Sequence, residues 1–175
     1  QRAFNNNTTI QSVVIEEGIE IKPLVFAGCS NLKSIVIPAG VKIENSSFGG
    51  TPIIEQIMRR VDRTPGNLVS TSRGVTIRNG HVKCSDNDEC PNETHILITE
   101  NVIKNAFRNN RVIQSVVIED NVTEIKDYAF AGCNNLKSIV IPPGVKIHGS
   151  AFGGVPIRNQ ITRNTQDGRG VTIRN

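Results

Sequence analysis

Cys84 and Cys90 stand with five residues between them in the polar stretch CSDNDEC. At that spacing two thiols close a small ring, and a bridge there stabilises an irregular segment by a few kcal/mol at most, since the loop it closes is short. Such a bridge implies an oxidising, extracellular setting. His81 and His95 flank the pair, so the same residues also form a two-Cys, two-His group of the kind zinc accepts. The order H-x2-C-x5-C-x4-H departs from paired finger spacing, and His95 falls where a strand should begin. The disulfide is therefore the favoured reading, zinc the alternative, and no metal is expected. Asp86, Asp88 and Glu89 lie in the same loop, but it lacks the glycine and the terminal bidentate Glu of a calcium-binding EF-hand. They are expected to be solvated acids.

No catalytic centre can be assembled from the rest. Tyr128 is the one tyrosine, the three histidines are scattered, and no Ser-His-Asp order, HExxH helix or phosphate-cradling loop occurs. The pairs Gly49-Gly50 and Gly153-Gly154 precede Pro52 and Pro156 without a following Lys-Ser/Thr, which marks turns. A non-enzymatic protein without a cofactor is expected. The net charge of +4 comes from 20 bases interspersed with 16 acids, with no interleaved aromatic residues, so nucleic acid is not an expected partner. Arg59, Arg60 and Arg63 form the densest basic patch, a candidate basic side for an anionic partner. No apolar run approaches the roughly 20 residues that cross a bilayer, so no membrane insertion of this segment is expected. Five Asn-X-Ser/Thr sequons begin at Asn6, Asn7, Asn45, Asn92 and Asn121. They become glycan acceptors only in a eukaryotic secretory setting.

The elements that carry these residues are repeated. The stretch Ala3 to Ile53 returns at Ala106 to Ile157 with most positions identical and one inserted residue, Thr123. Within this long repeat of about 104 residues lies a shorter one: Phe4, Phe26 and Phe48, then Phe107, Phe130 and Phe152, recur every 22 or 23 residues. A unit of that length cannot bury its own apolar side and must stack on its neighbours. In LKSIVIP, Leu32, Ile35 and Ile37 and their copies Leu136, Ile139 and Ile141 sit at strand spacing, closed by Pro38 or Pro142. A glycine turn and a second apolar pair follow, Val41 and Ile43 or Val145 and Ile147, and a Phe corner completes the coil. Cys29 and Cys133 share one position after that corner. There each is expected to pack as a small apolar group, several coils from its copy and beyond disulfide reach.

The phrase AFAGCxNLKSIVIPxGVKI, complete at Ala129 to Ile147 and partial at Ala27 to Ile43, resembles the BspA-like leucine-rich repeat. The expected fold is a β-rich solenoid, a leucine-rich-repeat-like right-handed coil of short parallel strands with Phe-corner turns or short helical pieces on the opposite side. One domain over residues 1–175 is expected, an excerpt of a longer array. Its long-repeat copies, 3–79 and 106–175, are joined by the irregular Cys-containing segment 80–105. Residues 54–94 and 158–175 lack the Phe corner, so the coil there is expected to be bulged, helical or replaced by a loop, although SRGVTIRN at Ser72 returns as GRGVTIRN at Gly168. Neither end carries a recognisable cap, which favours end-to-end self-association across exposed edges.

Alternation leaves a face. If Leu32, Ile35 and Ile37 point inward, then Lys33, Ser34 and Val36 point out, as do Gln11, Ser12 and Val14 one coil earlier. In the second copy the same rule exposes His95 and Leu97, then Gln114, Ser115 and Val117, then Lys137, Ser138 and Val140. The result is an apolar stripe rimmed by small polar groups, a surface suited to a macromolecule, although β-branched residues also favour strands on either face. The resemblance implies a cell-surface or extracellular adhesion protein whose partner is a protein, such as a host-surface or extracellular-matrix ligand.

Overall fold

The structure is a computed structural model that describes residues 2–64, 67–165 and 169–174. The chain divides into two compact units that follow one another at Val82 and Lys83.

In the first unit the alternating run SVVI supplies β1 (Ser12–Val14), and SIVI supplies β2 (Ser34–Ile37). They pair in parallel with Ser12 opposite Ser34 and Val14 opposite Val36. Parallel pairing follows from the coil: each strand is reached by a full circuit of about 22 residues, so successive strands run the same way. On the far side of the coil β3 (Lys42–Ile43) begins a second ladder, in which Ile21 bridges Ile43 in parallel. After the Gly-Gly turn the repeat breaks into α1 (Ile54–Met58), then β4 (Val61–Thr64) and β5 (Asn67–Ser70), which pair antiparallel, with β5 also antiparallel to β3. Finally β6 (Val75–Arg78) lies antiparallel on β2, and β7 (His81–Lys83) antiparallel on β6.

The second unit runs β8 (His95–Ile98), β9 (Ser115–Ile118), β10 (Glu124–Ile125), β11 (Ser138–Ile141), β12 (Lys146–Ile147), α2 (Arg158–Thr165) and β13 (Val171–Ile173). Strands β8, β9 and β11 form the parallel ladder, β10 and β12 the second one, and β13 lies antiparallel on β11.

The repeated VTIRN stretches are thus strands that run backwards. Each follows a helix in place of a Phe corner, and each needs the glycine before it. A Cβ on Gly74 would stand 2.5 Å from the Ile37 carbonyl oxygen, and one on Gly170 2.8 Å from that of Ile141. Only glycine admits so close a backbone approach. β13 lies antiparallel on β11 and is itself the last strand of the sheet, with no further partner strand among the described residues. The outer edge of β1 has no partner strand among the described residues.

Inside each unit the inward residues are fully buried, Leu32, Ile35, Leu136 and Ile139 among them. The Phe side chains form columns. Centroids of Phe4, Phe26 and Phe48 follow one another at 5.5 and 5.3 Å, and those of Phe107, Phe130 and Phe152 at 5.1 and 5.3 Å, with interplanar angles no larger than 10°. With strands about 4.8 Å apart, these spacings leave a lateral slide of roughly 2 Å, the offset stacking that aromatic quadrupoles prefer. Two residues beyond each Phe the backbone is left-handed, with Asn6, Gly28 and Gly50 in the first unit and Asn109, Gly132 and Gly154 in the second. At Gly28 and Gly132 a Cβ would fall 2.0 and 2.3 Å from the side-chain oxygens of Asn6 and Asn109.

Phe130 is fully buried between two rings, whereas Phe4 ends its column 44% exposed. Phe130→Ala is expected to cost about 3–5 kcal/mol and Phe4→Ala less than half as much, read from denaturant unfolding midpoints. Equal losses at both positions would refute the column as the source of the stability.

Candidate functional site

The cysteine segment resolves into a disulfide between Cys84 and Cys90, with Cα atoms 5.8 Å apart. The surrounding acids serve the turn. Glu89 Oε2 accepts from the backbone N–H and hydroxyl of Ser85, both at 2.6 Å, and Asp86 Oδ1 accepts from Glu89 N at 2.8 Å. The zinc alternative on His81, Cys84, Cys90 and His95 fails here, because sulfurs bonded to one another are not thiolate ligands. Among the described residues no group of three His, Cys, Asp or Glu side chains is arranged to hold a metal. Cys29 and Cys133 are free and buried. They are more than small apolar fillers: each thiol donates to the Phe carbonyl of the preceding coil, Cys29 to Phe4 and Cys133 to Phe107, both at 3.1 Å. Burial pushes the Cys133 thiol up to about 12.

The strand face has definite registers. In the first unit Val14, Val36 and Thr76 are successive neighbours across β1, β2 and β6, with Ser12 beside Ser34. In the second unit the row is Leu97, Val117, Val140 and Thr172 across β8, β9, β11 and β13, with His95, Ser115 and Ser138 beside it. Gln11, Lys33, Gln114 and Lys137 are exposed at the strand entrances, where Gln11 O accepts from the N–H groups of Lys33 and Ser34, and Gln114 O from those of Lys137 and Ser138. Val14 is 69% exposed, and Val36, Val117 and Val140 are half-buried.

Two residues expected on this face are not open. Leu97 is 2% exposed and Ser115 9%. Alternation fails at β8 because Ile96, Leu97 and Ile98 are all buried, so this strand is covered on both faces. It also lies alongside the disulfide segment, whose Cys84 N–H donates to the Leu97 carbonyl. Thr76 and Thr172 were not read as face residues. Their signal was the repeated VTI, in which Val75 and Ile77, or Val171 and Ile173, are buried around an outward Thr.

The basic patch is broken up. Arg60 is buried at the end of α1 while Arg63 lies exposed on β4.

Stacking creates one polar cluster that linear reading missed. His148 sits between two carboxylates of the preceding coil, with Nε2 2.8 Å from Glu124 Oε1 and Nδ1 3.3 Å from Asp127 Oδ2. The Ser150 hydroxyl donates to Asp127 Oδ1 at 2.5 Å, and Lys146 Nζ lies 3.5 Å from Glu124. The residues are those of a triad but the order is not. Serine bonds aspartate instead of histidine, so the imidazole is not placed to take the hydroxyl proton as it is in a Ser-His-Asp triad. The visible signal was the offset of 21 to 24 residues between partners, one coil apart. The hydrogen bond with His148 holds Glu124 below the usual carboxylate range, and that from Ser150 does the same for Asp127.

Short coils joined by parallel ladders on two sides, with a Phe column at the corner and buried aliphatic strands, define a leucine-rich-repeat β-solenoid. The chain belongs to the BspA type leucine rich repeat region family, whose model matches six copies over residues 1–62 and 89–166. The unmatched stretch between contains β5, β6, β7 and the first disulfide cysteine. Such repeats are often involved in protein interaction and are typically non-catalytic scaffolds. Searches of curated proteins and of solved structures found no match.

Two measurements check this chemistry. In the folded protein neither free thiol should react with Ellman's reagent. Two should titrate after denaturation and four after denaturation with reduction; rapid labelling of the folded state would contradict the buried thiol-to-carbonyl bonds. The carboxylates have folded values below their unfolded ones, so the stability they contribute is complete above about pH 4.5 and disappears as pH falls through their lowered folded values. Ser150→Ala should therefore be less stable than wild type at neutral pH and approach it in acid. A pH-independent difference would show that Ser150 does not act through Asp127.

Proposed function

We propose that the chain is a non-enzymatic protein-binding and adhesion module of a cell-surface or secreted protein, and that it binds through the outward face of its strands. The observation that carries this is the row chemistry: Val14, Val36 and Thr76 in one unit match Val117, Val140 and Thr172 in the other, each bordered by serines and by exposed Gln and Lys. A stripe of β-branched side chains supplies apolar contact, and the exposed Gln11, Ser12, Lys33, Gln114 and Lys137 at its border supply hydrogen bonds and register. Two such patches on one chain favour a partner that is itself repeated or immobilised, because the second contact forms at high effective concentration. The Cys84–Cys90 bridge supports an extracellular setting, where a disulfide persists. The ligand class proposed is a host-surface or extracellular-matrix protein.

The test is the triple variant Val36→Lys, Val117→Lys and Val140→Lys, measured by surface plasmon resonance against immobilised extracellular-matrix proteins. Affinity should fall about tenfold or more, with the circular dichroism spectrum unchanged. Undiminished binding by the folded variant would remove the strand face from consideration.

A further inference from the structure

Among the described residues of the second unit, Ile103 and Tyr128 are the large apolar side chains left exposed, at 57% and 41%. The second ladder sets them in one patch. Val102 bridges Ile125 in parallel and both are buried, so the next residue of each coil, Ile103 and Lys126, turns outward beside the other. Two residues on, Asn105 N–H donates to Asp127 O at 3.2 Å, which lays Asn105 alongside Tyr128. Arg108 N–H then donates to Asn105 O, and this turn brings the Arg108 guanidinium to 5.1 Å from the centroid of the Tyr128 ring. Ile103 stays exposed with the segment before it in place, since Asn87 N–H already donates to Ala106 O of the same coil.

The fold does not call for these side chains. Asn105 and Tyr128 both hold left-handed backbone, with φ of 65° and 60°, a conformation that asparagine tolerates and a bulky aromatic residue seldom adopts. The first copy has Asn5 and Leu24 at the positions of Arg108 and Tyr128. Leu24 is left-handed as well, φ 61°, but half-buried, and Asn5 Nδ2 donates to the carbonyls of Leu24 and Ala27. Those side chains serve the coil. In the second copy the two side chains meet each other at the surface instead, while the strand runs QSVVIE and NLKSIVIP are the same in both copies. Backbone strain kept for an exposed side chain points to a contact outside the chain.

The charge of the patch is one-sided. Lys104, Arg108 and Lys126 are exposed and form no ion pair among the described residues. Asp127 feels the field of Lys104, but its carboxylate oxygens bond Ser150 and His148, and Glu124 is held by His148 and Lys146. We propose that this patch docks an acidic segment of a partner protein, which seats an apolar side chain on Ile103 and Tyr128 and meets Lys104, Arg108 and Lys126 with carboxylates. Tyrosine and arginine are residue types that carry binding energy at protein interfaces. A guanidinium stacked on an aromatic face keeps its N–H edge for a carboxylate. A sulfated polysaccharide would answer the cations but leave Ile103 and Tyr128 wet. The patch belongs to the second ladder and its corner, so it stands or falls apart from the strand face.

A random-peptide phage library selected on the full chain supplies the probes, and the enriched peptides are synthesised and their affinities measured by isothermal titration calorimetry. They should carry aspartate or glutamate around an apolar residue, and their binding should weaken with added salt. Tyr128→Ala and Arg108→Glu should each lower affinity about tenfold or more, with both variants folded by circular dichroism. Val117→Lys, on the strand face, should leave it unchanged. Selection that yields no acidic peptides overturns the proposal, as does an affinity indifferent to both corner variants or lost in Val117→Lys. Heparin that binds this patch when no acidic peptide does also overturns it, because the partner would then be a polysaccharide.

Discussion

The whole architecture depends on one constraint: a backbone N–H of each coil must find a carbonyl directly above it in the next. The ladder continues through the Phe corners as well as the strands. Phe4 N donates to Val25 O, Gly28 N to Gly49 O, Phe130 N to Ala151 O and Gly132 N to Gly153 O, all at 3.0 Å or less. Corners are irregular backbone, and buried irregular backbone must have its polar groups satisfied. Stacking identical corners answers that need, and it forces the 22- or 23-residue spacing to be kept within one residue.

The inserted Thr123 shows how a departure is absorbed. Its N–H and hydroxyl both bond Asn101 Oδ1, which also accepts from Glu124 N. The extra residue is held at the turn, and the strand and corner on either side keep their register. Asn7 and Asn110 perform a similar service after the corner, each accepting from backbone N–H groups two and three residues on.

Much of this was legible in the chain. Alternation in SVVI and SIVI gave the parallel strands, and the Phe spacing gave the columns, because periodic burial leaves a periodic pattern. The disulfide was legible as one of two chemistries, and geometry separated them. What stayed hidden involved contacts between elements of different kinds. The direction of β6 and β13 is not encoded in VTIRN itself but in the glycine that lets it pass close to a neighbouring strand's carbonyl. Burial of Leu97 depends on cover over β8, which its own alternation cannot reveal. The His148 cluster comes from residues that are unremarkable alone and meet only because coils stack.

The buried thiols have a consequence for how the protein matures. Four cysteines allow three ways of forming two bridges, and an unfolded chain in an oxidising compartment can sample all of them. Completed stacking removes Cys29 and Cys133 from solution, each inside its own unit and tied to the coil before it. Cys84 and Cys90 are buried as well, but they lie six residues apart in one turn, so the local chain brings them together without any contact between coils. The cross-link is thus set by nearness in sequence, while coil stacking ties each of the other two thiols to a carbonyl of the coil before it.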